Sequence, residues 1–208
     1  MKQRLQDTEN REFLYALFSR VLMKEADEKL LELVESESIR EFFPNFLEWD
    51  IYKNSDRTNL IEEHLNVDFA DVSLLHLTPY ESFYIRDDAM IDSGGDNKAL
   101  QFYDKFDFIV AKDIARVVSP DHIAIEMEFV YEMIKAEKKA LDDENIKVAD
   151  EIKELQLEFV KNHLASWAPI YLINVINEAS TPFYHDAAMT SLDFILGDLE
   201  YLNEQCKS

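Results

Sequence analysis

Glu126 follows His122 by four residues, the spacing at which two side chains lie one above the other on a helix. A histidine and a carboxylate so placed can share a proton or take part in holding a cation. With successive residues placed about 100° apart, Ile123, Met127, Val130 and Ile134 form one apolar stripe, and Glu126 falls inside that arc. Glu128 and Glu132 point the other way, towards solvent. A carboxylate aimed at a packing face needs a partner, because burying an unpaired charge is costly. His122 is the nearest candidate and an incoming cation is the other. Two ligands do not make a metal site. A carboxylate-bridged di-iron bundle needs Glu-x-x-His on two helices, and no histidine of this chain has Glu three residues before it. His163 stands in an apolar arc with Trp167 one turn on, the setting of a core histidine that donates to a carbonyl. His185-Asp186 is the dipeptide of metal-dependent phosphohydrolases, and with His163 it supplies an alternative reading as such an enzyme. Gly-x-Ser-x-Gly, P-loop and Gly-x-Gly-x-x-Gly motifs are missing from the sequence, which removes the common nucleophile elbows and phosphate cradles.

These residues need helices to position them. Ser119-Pro120-Asp121 reads as a helix start, with Ser119 as the cap, Pro120 in the first position and Asp121 against the positive end of the dipole. That helix should run to about Leu141. A first helix is expected from Asp7 or Thr8 to about Met23, a second from Asp27, and a third from about Ser38, broken or bent at Pro44. Asn54-Ser55-Asp56 reads as a turn before a short helix near Asn59–Asn66. Leu74–Tyr84 reads as a packed connection into a short helix near Pro79, and Asp92–Asn97 as a loop. After a helix around Ala99–Phe106 and the central one, a long helix from Ile146 should bury Val148, Ile152, Leu155, Phe159, His163 and Trp167, with Pro169 ending or kinking it. Thr181-Pro182 begins the last. The expected fold class is all-α, a multi-helix bundle in one domain over residues 1–208.

Composition supports this. The chain has 208 residues, 47% of them apolar, with only three glycines and five prolines to break helices. Its formal charge is −22, from 43 acidic against 21 basic residues, which repels nucleic acid and anionic membranes and draws basic ligands. The single cysteine, Cys206, leaves no intrachain disulfide. No apolar run approaches the roughly 18 residues that cross a bilayer, and the N-terminal residues lack a signal-peptide core. A soluble, cytoplasmic interaction protein without a cofactor is expected, rather than an enzyme.

Three elements occur in order: Pro79-Tyr80-Glu81-Ser82-Phe83-Tyr84, Pro120-Asp121-His122-Ile123-Ala124-Ile125-Glu126, and His163-Leu164-Ala165-Ser166-Trp167. In an acidic, helical chain of this size they resemble the TorD/DmsD/NarJ family of cytoplasmic chaperones for molybdoenzymes. The chain departs from the family pattern at Val118, where glutamate is usual, and at Asp68, where leucine is usual. The resemblance implies a chaperone that binds the twin-arginine signal peptide of an apo-molybdoenzyme, such as a formate dehydrogenase or an N- or S-oxide reductase, and delays export until the cofactor is inserted. It implies a monomer or a domain-swapped dimer. It also implies that Asp121, Glu126 and Glu81 face the arginines, that His122 orients the carboxylates, and that Tyr80, Tyr84 and Trp167 line or buttress the apolar part. An adaptor that binds a client subunit independently of its leader is a further alternative within the family.

Overall fold

Polar side chains close the helix starts that the sequence marks. Asp27 accepts from the Leu30 N–H at 2.9 Å, Asp56 from Asn59 at 3.0 Å, Asn97 from Leu100 at 3.2 Å and Asn145 from Val148 at 3.4 Å. Each satisfies one of the backbone donors that a helix N-terminus leaves open. The computed structural model describes residues 2–92, 97–110 and 117–207. The helices are α1 Lys2–Met23, α2 Glu28–Val34, α3 Pro44–Glu48, α4 Asp50–Asn54, α5 Arg57–Asn59, α6 Asn66–Ala70, α7 Glu81–Ile85, α8 Lys98–Asp104, α9 Ile123–Asp142, α10 Ile146–Phe159, α11 Ala165–Glu178 and α12 Pro182–Gln205. Wide π-type turns at Leu60–Leu65, Asp71–Leu75 and Val160–Leu164 join neighbouring helices end to end. The fold is all-α, and among the described residues no strand occurs.

Several boundaries differ from expectation. α1 begins near residue 2 instead of 7, and Arg4 in the added turn reaches Glu137 at 3.0 Å and Asp150 at 2.6 Å. Of the two outcomes expected at Pro44, a break or a bend, the break is found: Pro44 opens α3, in the first-turn position that suits its ring. Pro169 lies inside α11, a turn beyond the π-type widening. Leu74 and Leu75 are exposed rather than packed. Of the loop expected at Asp92–Asn97, residues 93–96 lie outside the described set.

Contacts divide the chain into two compact units. The first comprises Met1–Arg20, Tyr80–Ala168 and Phe194–Ser208. Its core is aromatic: Phe129 sits 4.8 Å from both Tyr103 and Phe159, and Phe102 adds an edge contact to Phe159 at 5.3 Å. α9 and α10 form a hairpin through Glu144, which takes the left-handed backbone conformation while Asn145 donates to the Ala140 carbonyl at 2.8 Å. That closes α9 in the Schellman manner, with glutamate where glycine is usual. α10 turns Ala149, Lys153, Gln156 and Phe159 inward, whereas Val148 is exposed. The inward polar residues meet Glu137, with Lys153 at 3.3 Å and Gln156 at 2.9 Å.

The second unit comprises Val21–Pro79 and Pro169–Asp193. Phe43 and Phe46 pack on Phe183 at 5.2 and 5.1 Å. Asp68, one of the two departures from the family pattern, is buried and accepts from the N–H groups of Ser180 and Thr181 at 2.9 and 2.8 Å. A leucine there could not hold the start of α12. Asp186 accepts from the backbone of Asn45 and Phe46, at 2.8 and 2.9 Å, and from the Asn45 amide at 2.7 Å.

Candidate functional site

Residues of the three sequence elements meet in the first unit. Tyr80 and His122 form an isolated antiparallel bridge, and the Glu81 N–H donates to the Asp121 carbonyl at 3.0 Å. The Ser82 N–H donates to the Asp121 carboxylate at 2.7 Å, so this side chain caps α7. The Ser119 hydroxyl lies between the Asp121 carboxylate and the Asp92 carbonyl. Ser119 and Pro120 therefore form a turn, and the helix begins three residues later than expected. His122 is the true cap: its Nδ1 accepts from the Ala124 N–H at 3.1 Å. Accepting there requires a neutral ring whose proton sits on Nε2.

Two buried carboxylates stand behind this turn. Glu126 receives the Trp167 indole N–H at 3.1 Å, and Tyr84 stacks on that indole at 5.4 Å. Glu81 meets His163 Nδ1, 3.1 Å from each oxygen, while Phe159 stacks on the imidazole at 4.8 Å. Burial, then the neighbouring Glu81, pushes the Glu126 carboxyl well above its usual range. A high value favours the neutral acid, which escapes the penalty of an unpaired buried charge.

The residues named from the sequence thus come together, held largely by one another. Asp121 and Glu126 are fully buried, and their oxygens are engaged by Ser82, Ser119 and Trp167. Glu81 is buried in the same way, against His163. Glu126 finds Trp167, not His122. Tyr80 is buried with its ring edge-on to His122 at 5.1 Å, and its hydroxyl accepts from the Val118 N–H at 3.2 Å. Tyr84 is half-buried, the most accessible of the seven. His163 is a core histidine, as its apolar setting suggests, but it serves a carboxylate and not a carbonyl. The phosphohydrolase alternative loses Asp186, whose two oxygens are held by three N–H donors in the second unit. Among the described residues, no group of three or more His, Cys, Asp or Glu is placed to hold a metal ion.

His122 has a consequence for acid stability. Burial drives its pKa from 6.5 down to about 3. Between those values the unfolded chain takes up a proton that the folded chain refuses. Its stabilising contribution is therefore complete above pH 6.5 and is lost as pH falls towards 3, by about 1.4 kcal/mol per pH unit. Asparagine also caps helices well, so His122→Asn should flatten the acid side of the stability–pH curve without losing the helix start. Urea midpoints of both proteins between pH 4 and 7 test this, and parallel curves would contradict it.

A family model described as the nitrate reductase delta subunit matches residues 35–171, more than half of the chain and all three elements. The chain belongs to this family. Relatives of this TorD/NarJ-family chain are named chaperone protein TorD. One from Vibrio parahaemolyticus is 28% identical over 211 residues, covering 93% of this chain and 95% of the relative. Those of Vibrio atlanticus and Aliivibrio fischeri are 24% and 25% identical, over 97% and 93% of this chain and 99% and 95% of theirs. No solved structure matches. The TorD/NarJ assignment agrees with the resemblance drawn from the three elements.

Proposed function

We propose that this chain is a cytoplasmic chaperone, not an enzyme, that binds the twin-arginine leader of a molybdoenzyme precursor and holds the precursor until its cofactor is inserted. The observation that carries the reading is the nearly end-to-end match to relatives named chaperones. Two features support it. The charge of −22 attracts a paired-arginine segment and speeds its arrival. The groups of the central cluster are held by one another, which suits a scaffold better than a catalyst. In this reading Tyr80, Glu81, Asp121, His122, Glu126 and Trp167 fix α7 against α9, and Tyr84 is the member able to touch a client.

Magnitudes divide the work. An exposed ion pair contributes about 0–1 kcal/mol, whereas burying one leucine-sized side chain contributes about 1.5–3 kcal/mol. The leader's apolar segment therefore supplies most of the affinity, and its arginines supply selectivity. Calorimetric titration with a twin-arginine leader peptide and its twin-lysine counterpart tests this. Only guanidinium grips a carboxylate through two parallel bonds, so the lysine form should bind about tenfold more weakly or worse. Failure of both to bind contradicts the proposal. The description of the matching family as a subunit favours a second reading, an adaptor that binds the client's folded part.

A further inference from the structure

Glu128 and Glu132, which the helical pattern turns away from the core, do not simply face open water. They border a groove of about 500 Å³ in the first unit, between α9 and the turn that follows α8. That volume lies within the range of ligand-binding clefts, about 300–1,000 Å³. Phe129 and Met133 form its floor, and Phe106 and Phe108 one wall. The wall is built by a second Schellman closure: Phe108 donates to the Tyr103 carbonyl at 3.1 Å, and Asp107 takes the left-handed conformation. Phe106 and Phe108 both then reach the Phe129 ring, at 5.7 and 5.2 Å. At the lip, Ile109 is 88% exposed, a large apolar side chain left in water.

Among the described residues, the ionisable side chains lining this groove are Asp107, Glu128 and Glu132, all carboxylates. Glu132 also meets Lys135 at 2.8 Å, an exposed pair easily exchanged. We propose that this groove seats a peptide segment in which arginines precede an apolar run, with guanidinium on Glu128 and Glu132 and apolar side chains over Phe108, Phe129 and Ile109. The four-residue spacing brings the two carboxylates within about 6 Å on one helix face, close enough for one guanidinium to bridge them. Glu128 is half-buried, and burial and then Glu132 raise its pKa, so an arriving cation relieves a standing repulsion. Anionic lipid, nucleic acid and a second copy of this acidic chain all bring negative charge to a negative rim. The proposal rests on the chaperone reading and places the leader on α9, away from the buried cluster.

The test is fluorescence anisotropy of a labelled twin-arginine leader peptide on the full chain in about 150 mM salt, where long-range attraction is screened. Glu128→Gln with Glu132→Gln removes the rim charge. Ala136→Arg, at an exposed position lining the groove, puts a cation in the peptide's path. The control is Asp142→Asn with Asp143→Asn, which removes the same charge about 20 Å along α9. Each groove variant should weaken binding about tenfold or more and the control less than about twofold. Circular dichroism and melting confirm folding, and neutralising Glu128 also removes a half-buried charge. Equal weakening by the control means a diffuse field and overturns the groove. Unchanged binding by the groove variants overturns the groove and leaves the chaperone reading standing. Absence of binding to the unaltered chain overturns both.

Discussion

Replacing Glu137 with alanine is expected to lower the unfolding free energy by about 3–5 kcal/mol, a large fraction of the total for a domain of this size. Glu137 is fully buried and is the hub of a charged network. Its Oε1 accepts from Arg4 Nη2 at 3.0 Å and faces Lys153 Nζ at 3.3 Å, while its Oε2 accepts from the Gln156 amide at 2.9 Å. Arg11 Nη1 stands 3.7 Å away, and the same guanidinium grips Asp198 with Nη2 at 3.1 Å. Burial lowers the Lys153 pKa against the pull of Glu137, so this ammonium depends on its partner. Without Glu137, the buried Lys153 loses its carboxylate while Arg11 keeps Asp198, and the uncompensated burial of Lys153 is the main source of the loss. Adding Lys153→Met should recover part of it, and a double-mutant cycle should show coupling of about 0.5–3 kcal/mol. Urea unfolding measures both. A loss below about 1 kcal/mol would mean that water or relaxation satisfies these groups.

That network was not legible in the sequence, and the reason is physical. Apolar periodicity shows which residues share a helix face, but a buried lysine looks like a solvated one until its partner is known. Arg4 and Glu137 are 133 residues apart in sequence. Counting only apolar positions on α10 favours Val148, Ile152 and Leu155, whereas the charged contacts turn Lys153 and Gln156 inward. Local chemistry was legible. Asp27, Asp56 and the stretch after Asn145 mark helix starts because a cap acts over three residues. At Ser119-Pro120 the same logic misplaces the start, since Asp121 is drawn off to the amide of Ser82, 39 residues away.

The central cluster shows the same division. Residues from its three sequence elements do converge, and Glu126 does need a partner on the packing face. The partner is Trp167, 41 residues on, an indole N–H that no spacing rule on one helix could indicate. Glu128 was missed for the opposite reason. A helical wheel places it outside, but the turn after α8, closed by Asp107 in a left-handed conformation, raises a wall beside it.

The largest functional effect expected is loss of client capture when the leader is removed. Each leucine-sized contact forfeited is worth about 1.5–3 kcal/mol, roughly ten- to more than hundredfold in affinity. A leader brings several such contacts together with its arginine pair, so its deletion should weaken capture by far more than a hundredfold, beyond retention on a washed resin. The adaptor reading predicts the reverse, because the client's folded surface is untouched. The deciding measurement is affinity capture of a co-produced oxidoreductase precursor by the tagged chain, with the precursor made in parallel with and without its twin-arginine leader. Recovery of the full precursor and none of the shortened one is the predicted result. Equal recovery of the two would contradict leader recognition as the basis of this chain's function.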